Sequence, residues 1–187
     1  AFKRPYFVNV PDRFENKRLP VFVFLHGNGA DAKEALRGFR RGRKTIASQY
    51  IMVFPQGYRE SWNIVSERSK AEDCRFIEAI VAELAKADNV DPKNFTIMGS
   101  SNGSALVNQL MIESDMPNVR NYISGVSPLN VWQYDGQQFK EKGPGNEYRT
   151  VAIPTTGKRL MNISGMRDDL VPYIGGPSKA IPAKNGK

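Results

Sequence analysis

The sequence holds a single cysteine, Cys74, in 187 residues. One thiol excludes an internal disulfide and leaves the redox compartment open. Histidine is equally scarce, with His26 alone. One His beside one Cys makes no cluster for a zinc site. Long apolar runs are missing as well: no stretch approaches the ~18 residues that a membrane span needs. No signal-peptide pattern opens the chain, which starts at Ala1 rather than Met.

What is present suits one folded unit. A chain of 187 residues can bury a real core, and 1–187 reads as a single domain. Hydrophobic residues make up 40 % and charged ones 25 %, which is ordinary for a globular protein. The net charge is +8, part of it from Arg37, Arg40, Arg41, Arg43 and Lys44. That cluster lacks interleaved aromatics for base stacking, and no nucleic-acid motif accompanies it. It reads as a solvated helix face, with attraction to an anionic polymer left open and no nucleic acid expected.

The most informative stretch is 95–104. Its apolar start, Phe95 to Met98, reads as a short buried strand that stops at Gly99. Residues 105–112 have helical apolar spacing. Between them, Gly99-Ser100-Ser101-Asn102-Gly103 fits a G-x-S-x-G nucleophile elbow. In such a turn a strand reverses into a helix within about one residue and pushes the central side chain, Ser101, into the open. Small residues two before and two after let strand and helix pass. The helix N-terminus beneath supplies free N–H groups that favour an oxyanion.

Around it the chain alternates. Residues 4–11 read as an edge strand closed by Pro11. The run Val21-Phe22-Val23-Phe24-Leu25, within a strand at 19–25, suits coverage on both faces. It ends at His26-Gly27-Asn28-Gly29. A helix at 32–47 is interrupted by Gly38 and Gly42. Another apolar strand, 50–54, stops at Pro55-Gln56-Gly57. Residues 58–70 are polar and contain Ser61-Trp62-Asn63. The clearest amphipathic helix is 73–87, with Phe76, Ile77, Ile80, Val81 and Leu84 on one stripe. Asn89-Val90-Asp91-Pro92 ends it and turns into the elbow strand. A strand at 122–126 precedes Ser127-Pro128. Residues 133–150 form a polar, glycine-containing insertion, a small cap on this reading. A last strand covers 158–164, and 180–187 is polar without periodicity. Alternating strands and helices argue for a mostly parallel sheet with helices on both faces. Ligands of such sheets bind where strands end at their carboxyl side. Three features end strands there: the His26-Gly27-Asn28-Gly29 loop, the Ser101 elbow, and Gly165-Met166-Arg167-Asp168.

Together these segments resemble the α/β-hydrolase superfamily, and within it the polyhydroxybutyrate depolymerase, feruloyl esterase and acetylxylan esterase group. Leu25 to Gly29 matches an LHG-x-G loop. Pro55 with Trp62-Asn63 matches a proline-ended strand followed by a W-N pair. Asp73 and Phe76 match an acid-started helix, and Asp91-Pro92 precedes the elbow as in the group. Gly165, Asp168, Val171-Pro172-Tyr173 and Gly175-Gly176 match an acid motif. The likeness spans about residues 4 to 176. It implies Ser101 as nucleophile and Asp168, rather than Asp169, as the acid that orients the base. It implies an oxyanion hole from the backbone N–H groups of Asn28 and Asn102. His26 and Gly27 fall in the oxyanion loop. No cofactor is needed. The group's character implies a secreted or periplasmic protein acting on a small or polymeric ester.

One departure stands out. In that group the catalytic histidine follows the acid, after a further helix and strand. Only 19 residues follow Asp168 here (187 minus 168), and they hold no histidine. The expectation is an α/β-hydrolase fold lacking its C-terminal strand and helix, with self-association along the edge so exposed. A serine carboxylesterase of short acyl esters is the first reading. A non-catalytic relative that binds a ligand or partner at the same cleft is the second. Trp62, Trp132 and Tyr173 are each a candidate aromatic face for a sugar or phenolic acid, or else core.

Overall fold

The computed structural model describes residues 3–12, 17–143, 145–152, 157–176 and 179. In chain order it contains β1 (Tyr6–Asn9), β2 (Leu19–Leu25), α1 (Ala32–Gly42), α2 (Lys44–Gln49), β3 (Ile51–Pro55) and α3 (Asp73–Leu84). Then follow β4 (Val90–Ser100), α4 (Asn102–Glu113), β5 (Val119–Gly125), β6 (Lys140–Lys142), β7 (Tyr148–Thr150) and β8 (Arg159–Ile163). The unbroken apolar runs of β2 and β3 would be costly beside water, so they take the middle of a sheet. That sheet has six strands in the order β1-β3-β2-β4-β5-β8. Only β1 runs antiparallel, pairing with β3; the other pairings are parallel.

Alternate residues of a strand face opposite sides, and the two sides carry different helices. Phe22, Phe24, Met52 and Phe54 pack with Phe39 of α1 and Ile46 of α2. Val21, Val23, Leu25, Ile51, Val53, Ile97 and Tyr122 pack with Ile77, Ile80 and Val81 of α3 and Leu106, Val107 and Leu110 of α4. The stripe expected on α3 therefore lies in the core, although the helix stops at Leu84 rather than residue 87. The mostly parallel sheet with helices on both faces is present as expected.

Three local readings change. The first helix runs through Gly38, where an added Cβ would meet only open space, and breaks instead at Arg43 (φ −130°, ψ 56°). The elbow strand starts earlier than Phe95. Leu19 faces Val90 and Val21 faces Phe95, so residues 91–94 bulge out between them. There Asp91 Oδ1 accepts the Lys93 N–H at 3.0 Å, the turn that Asp91-Pro92 announces. The 133–150 insertion folds into an antiparallel hairpin, β6 against β7. Residues 180–187 lie outside the described residues. Among the described residues no helix is long and apolar enough to cross a membrane.

Candidate active site

Ser101 sits between β4 and α4 at φ 53°, ψ −119°, with its residue exposed. A positive φ is uncommon for a residue with a Cβ and persists only where the surroundings impose it. Here they do. The Ser101 N–H donates to Gly125 O at 2.9 Å, while Ser101 O accepts from Ser104 N–H at 2.8 Å. Ser104 Oγ, fully buried, lies 2.7 Å from Gly99 O and accepts the Gly125 N–H at 2.8 Å. Both flanking glycines are required by contact. A Cβ on Gly99 would stand 2.2 Å from Gly103 O, and one on Gly103 would stand 2.2 Å from Leu25 O. No rotamer relieves a clash with backbone.

The loop after β2 lies beside this elbow. A Cβ on Gly27 would come within 3.6 Å of Ser101 Cβ. Neither Asn28 N–H nor Asn102 N–H has a hydrogen-bond partner among the described residues. The structure thus brings together Ser101, Gly27 and two unspent donors. His26 is elsewhere in purpose. It is buried, its Nδ1 lies 2.7 Å from Gly27 O, and its Nε2 accepts the Gly57 N–H at 2.9 Å. That pairing fixes a neutral ring protonated on Nδ1. Burial holds its pKa below the ordinary value, against the pull of the Gly27 carbonyl, Asp31 and Glu60. Both ring nitrogens are engaged in the loop.

Asp168 follows β8, at the same end of the sheet as Ser101. Its Oδ1 accepts the N–H groups of Leu170 and Val171, each at 2.9 Å. Its Oδ2 has no partner among the described residues. Asp169 is exposed. Two strand spacings separate β4 from β8, on the order of 10 Å. Between them, Val126 ends β5 at φ 68°, an outlier for a β-branched residue. With Arg59, Glu60 and Ser101, four of the five non-glycine residues of positive φ among those described leave β3, β4 or β5 at their carboxyl ends. Strain of this kind gathers at functional sites.

The aromatic candidates separate. Trp62 is 0 % exposed, its indole Nε1–H donating to His26 O at 2.8 Å. It is core and presents no face to a ligand, so its binding role is withdrawn. Trp132 and Tyr173 are 39 % and 62 % exposed. Sequence reasoning missed what holds the elbow from the side. Asn102 Oδ1 accepts the Trp62 N–H at 2.7 Å, and Asn102 Nδ2 donates to Glu67 Oε1 at 3.1 Å. Gln56 Nε2 lies 3.2 Å from His26 Nε2. Single carboxylates and amides in polar loops carry no spacing signal, so only their contacts reveal them.

No family model matches the chain. A putative esterase, NocK of Nocardia uniformis subsp. tsuyamanensis, is 27 % identical over 161 residues, covering 83 % of this chain and 42 % of that protein. The chain therefore spans less than half the length of this curated relative. Est1E of Butyrivibrio proteoclasticus, solved with ferulic acid bound, superposes with a TM-score of 0.62 at 15 % identity, over 91 % of this chain and 78 % of that one. The Bacillus cereus carboxylesterase gives a TM-score of 0.58 at 15 % identity, over 92 % of this chain and 75 % of that one. Sheet order and these likenesses together establish that the chain has the α/β-hydrolase fold.

Proposed function

We propose that this chain carries the nucleophile, oxyanion hole and acid of a serine carboxylesterase. The observation that carries the reading is Ser101, held strained and exposed at the N-terminus of α4 beside the Asn28 and Asn102 N–H groups, which have no partner among the described residues. Ser101 Oγ attacks the ester carbonyl, and the N–H pair receives the oxyanion of the tetrahedral intermediate. One such donor is typically worth ~3 kcal/mol of barrier. Alcohol leaves, and water hydrolyses the acyl-enzyme. Asp168, its Oδ1 fixed by the Leu170 and Val171 N–H groups, orients the base. His26 is not that base, because its nitrogens are spent on Gly27 and Gly57. With His26 so engaged, the sequence holds no second imidazole to serve as base, and the chain by itself is expected to be a weak catalyst. The substrate is a short acyl ester; the hydroxycinnamate held by a solved likeness makes a feruloyl ester the first to try, ahead of acetyl-sugar and hydroxyalkanoate esters. The bare outer edge of β8 is where copies of the chain would associate.

A second reading, a ligand-binding relative without catalysis, draws on the same engagement of His26. One experiment separates the two. A fluorophosphonate probe should add to Ser101 and not to Ser101→Ala, read by intact mass. On a p-nitrophenyl ester the isolated chain should be slow, and His26→Ala no slower. Absence of any adduct favours the binding reading. Full activity lost in His26→Ala makes His26 the base.

A further inference from the structure

The two halves of the proposed oxyanion hole lie on different loops, after β2 and after β4. Both are tied to one segment, residues 57–67. On the β4 side, Asn102 Oδ1 accepts the Trp62 N–H and Asn102 Nδ2 donates to Trp62 O at 3.1 Å. On the β2 side, the Trp62 indole donates to His26 O and the Gly57 N–H donates to His26 Nε2. Gly29 N–H donates to Glu60 O at 2.7 Å. The segment is itself cross-braced by Glu67. Its Oε2 accepts the N–H groups of Ile64 and Val65 at 3.0 and 2.6 Å, while its Oε1 accepts from Asn102.

Beyond a single 3-10 turn at Tyr58–Glu60 the segment has no regular structure, and the β6–β7 hairpin contacts it from outside. Lys142 Nζ donates to Asn63 O, Asn63 Oδ1 and Ile64 O at 2.7, 2.7 and 2.8 Å. Three acceptors match the three protons of an ammonium. Tyr148 Oη donates to Ile64 O at 2.9 Å, and Asn63 Nδ2 donates to Asn146 Oδ1 at 2.6 Å. The hairpin is in turn fixed to α4, since Lys142 N–H donates to Glu113 Oε1 at 2.6 Å.

We propose that Lys142 is a positioning residue: through Asn63, Ile64 and Glu67 it clamps the 57–67 loop and so sets the distance between the Asn28 and Asn102 N–H groups. This rests on the esterase reading for its purpose, but not for its geometry. Lys142 touches no substrate. The polar insertion is on this account a brace rather than a cap.

Burial lowers the Lys142 pKa to about 8, with Lys70 pulling the same way and Glu67, Asp73 and Glu113 opposing. The Tyr148 ring also faces Nζ, at 5.8 Å. The clamp should therefore loosen in mild alkali, when one of the three donors is lost.

The test uses the chain itself, labelled with 15N. In Lys142→Met the Trp62 amide and indole protons should exchange with solvent at least about tenfold faster, while core amides such as Ile97 keep their protection. The Asn28 and Asn102 amide resonances should move. Lys142→Arg, which stays charged, should restore most of the protection and lose the drift expected of the wild type between about pH 7 and 9. Glu67→Gln cuts the same chain at its other end and should expose the same Trp62 protons, which covers the case of a poorly folded Lys142→Met. Unchanged Trp62 exchange in Lys142→Met or in Glu67→Gln overturns the clamp, and so does equal loss at Ile97, the mark of plain destabilisation. Phosphonylation of Ser101 should slow about tenfold in Lys142→Met and recover in Lys142→Arg. A wild type that takes no label defeats the esterase reading, while the exchange data still decide the clamp.

Discussion

At the scale of the residue, His26 shows how one side chain can be chemically apt and structurally committed. Its ring lies 5.0 Å from that of Trp62 and is buried. A neutral imidazole is what Gly27 O and Gly57 N–H together require. The consequence is a pH dependence of stability. The folded pKa is below the unfolded value, near 6.5. Between the two the unfolded chain binds a proton that the folded one refuses. Stability is then full above about pH 6.5 and falls as pH drops. Buried Asp73 and half-buried Glu113, whose pKa values are raised by desolvation, act with the opposite sign at lower pH. Thermal melts of wild type and His26→Asn at pH 7, 6 and 5 isolate the histidine by difference. The wild type should lose Tm more steeply; parallel curves would refute the assignment.

Asp168 makes the second residue-scale prediction. Two N–H groups fix its Oδ1, and loss of the orienting carboxylate in a serine protease costs about 10⁴ in rate. Asp168→Asn should cripple Ser101 turnover wherever a base is supplied, and Asp169→Asn should not. Equal losses, measured on one p-nitrophenyl ester, would reject the ranking.

At the scale of the element, glycines in different places answer to different forces. In the middle of α1, Gly38 has open space around it and no need of positive φ. Gly38→Ala should stabilise by about 0.5–1 kcal/mol, because alanine loses less entropy on folding. Gly103 in the first turn of α4 has Leu25 O and His26 O where a Cβ would go. Gly103→Ala should cost about 3 kcal/mol or more, since backbone cannot step aside as a side chain does. Urea melts of the two variants give opposite shifts if the contacts are as described; a tolerated Gly103→Ala would mean a looser elbow. The elbow's glycines were legible in the sequence because this geometry demands them at fixed spacing. So were β2, β3 and α3, whose apolar periods match their burial. The loop at 57–67 was not. Its order comes from Asn102, Glu67 and Lys142, residues 35 to 75 positions apart that no local pattern relates. Trp62 was ambiguous for a similar reason: an aromatic in a polar stretch reads the same whether it caps a ligand or fills the core.

At the scale of the molecule, β8 is the anomaly. Parallel strands normally have both faces covered, yet all five residues from Arg159 to Ile163 are exposed. Leu160, Met161 and Ile163 are 44 %, 57 % and 43 % exposed, and Met166 and Ile174 beyond them 81 % and 94 %. On its outer side β8 pairs with no strand among the described residues. Such an edge offers unpaired N–H and C=O groups to any second strand. One force opposes this. A net charge of +8 repels like copies, though only over a Debye length, which shrinks from roughly 30 Å at ~0.01 M salt to about 8 Å at ~0.15 M. Association through β8 should therefore grow with both protein concentration and salt. Sedimentation velocity should show a mass above the monomer that increases as salt is raised. Met161→Lys, which places a charge on the open strand, should return the chain to monomer in the same buffer. A monomer at every concentration and salt, or association indifferent to Met161→Lys, would mean that copies do not meet along this edge.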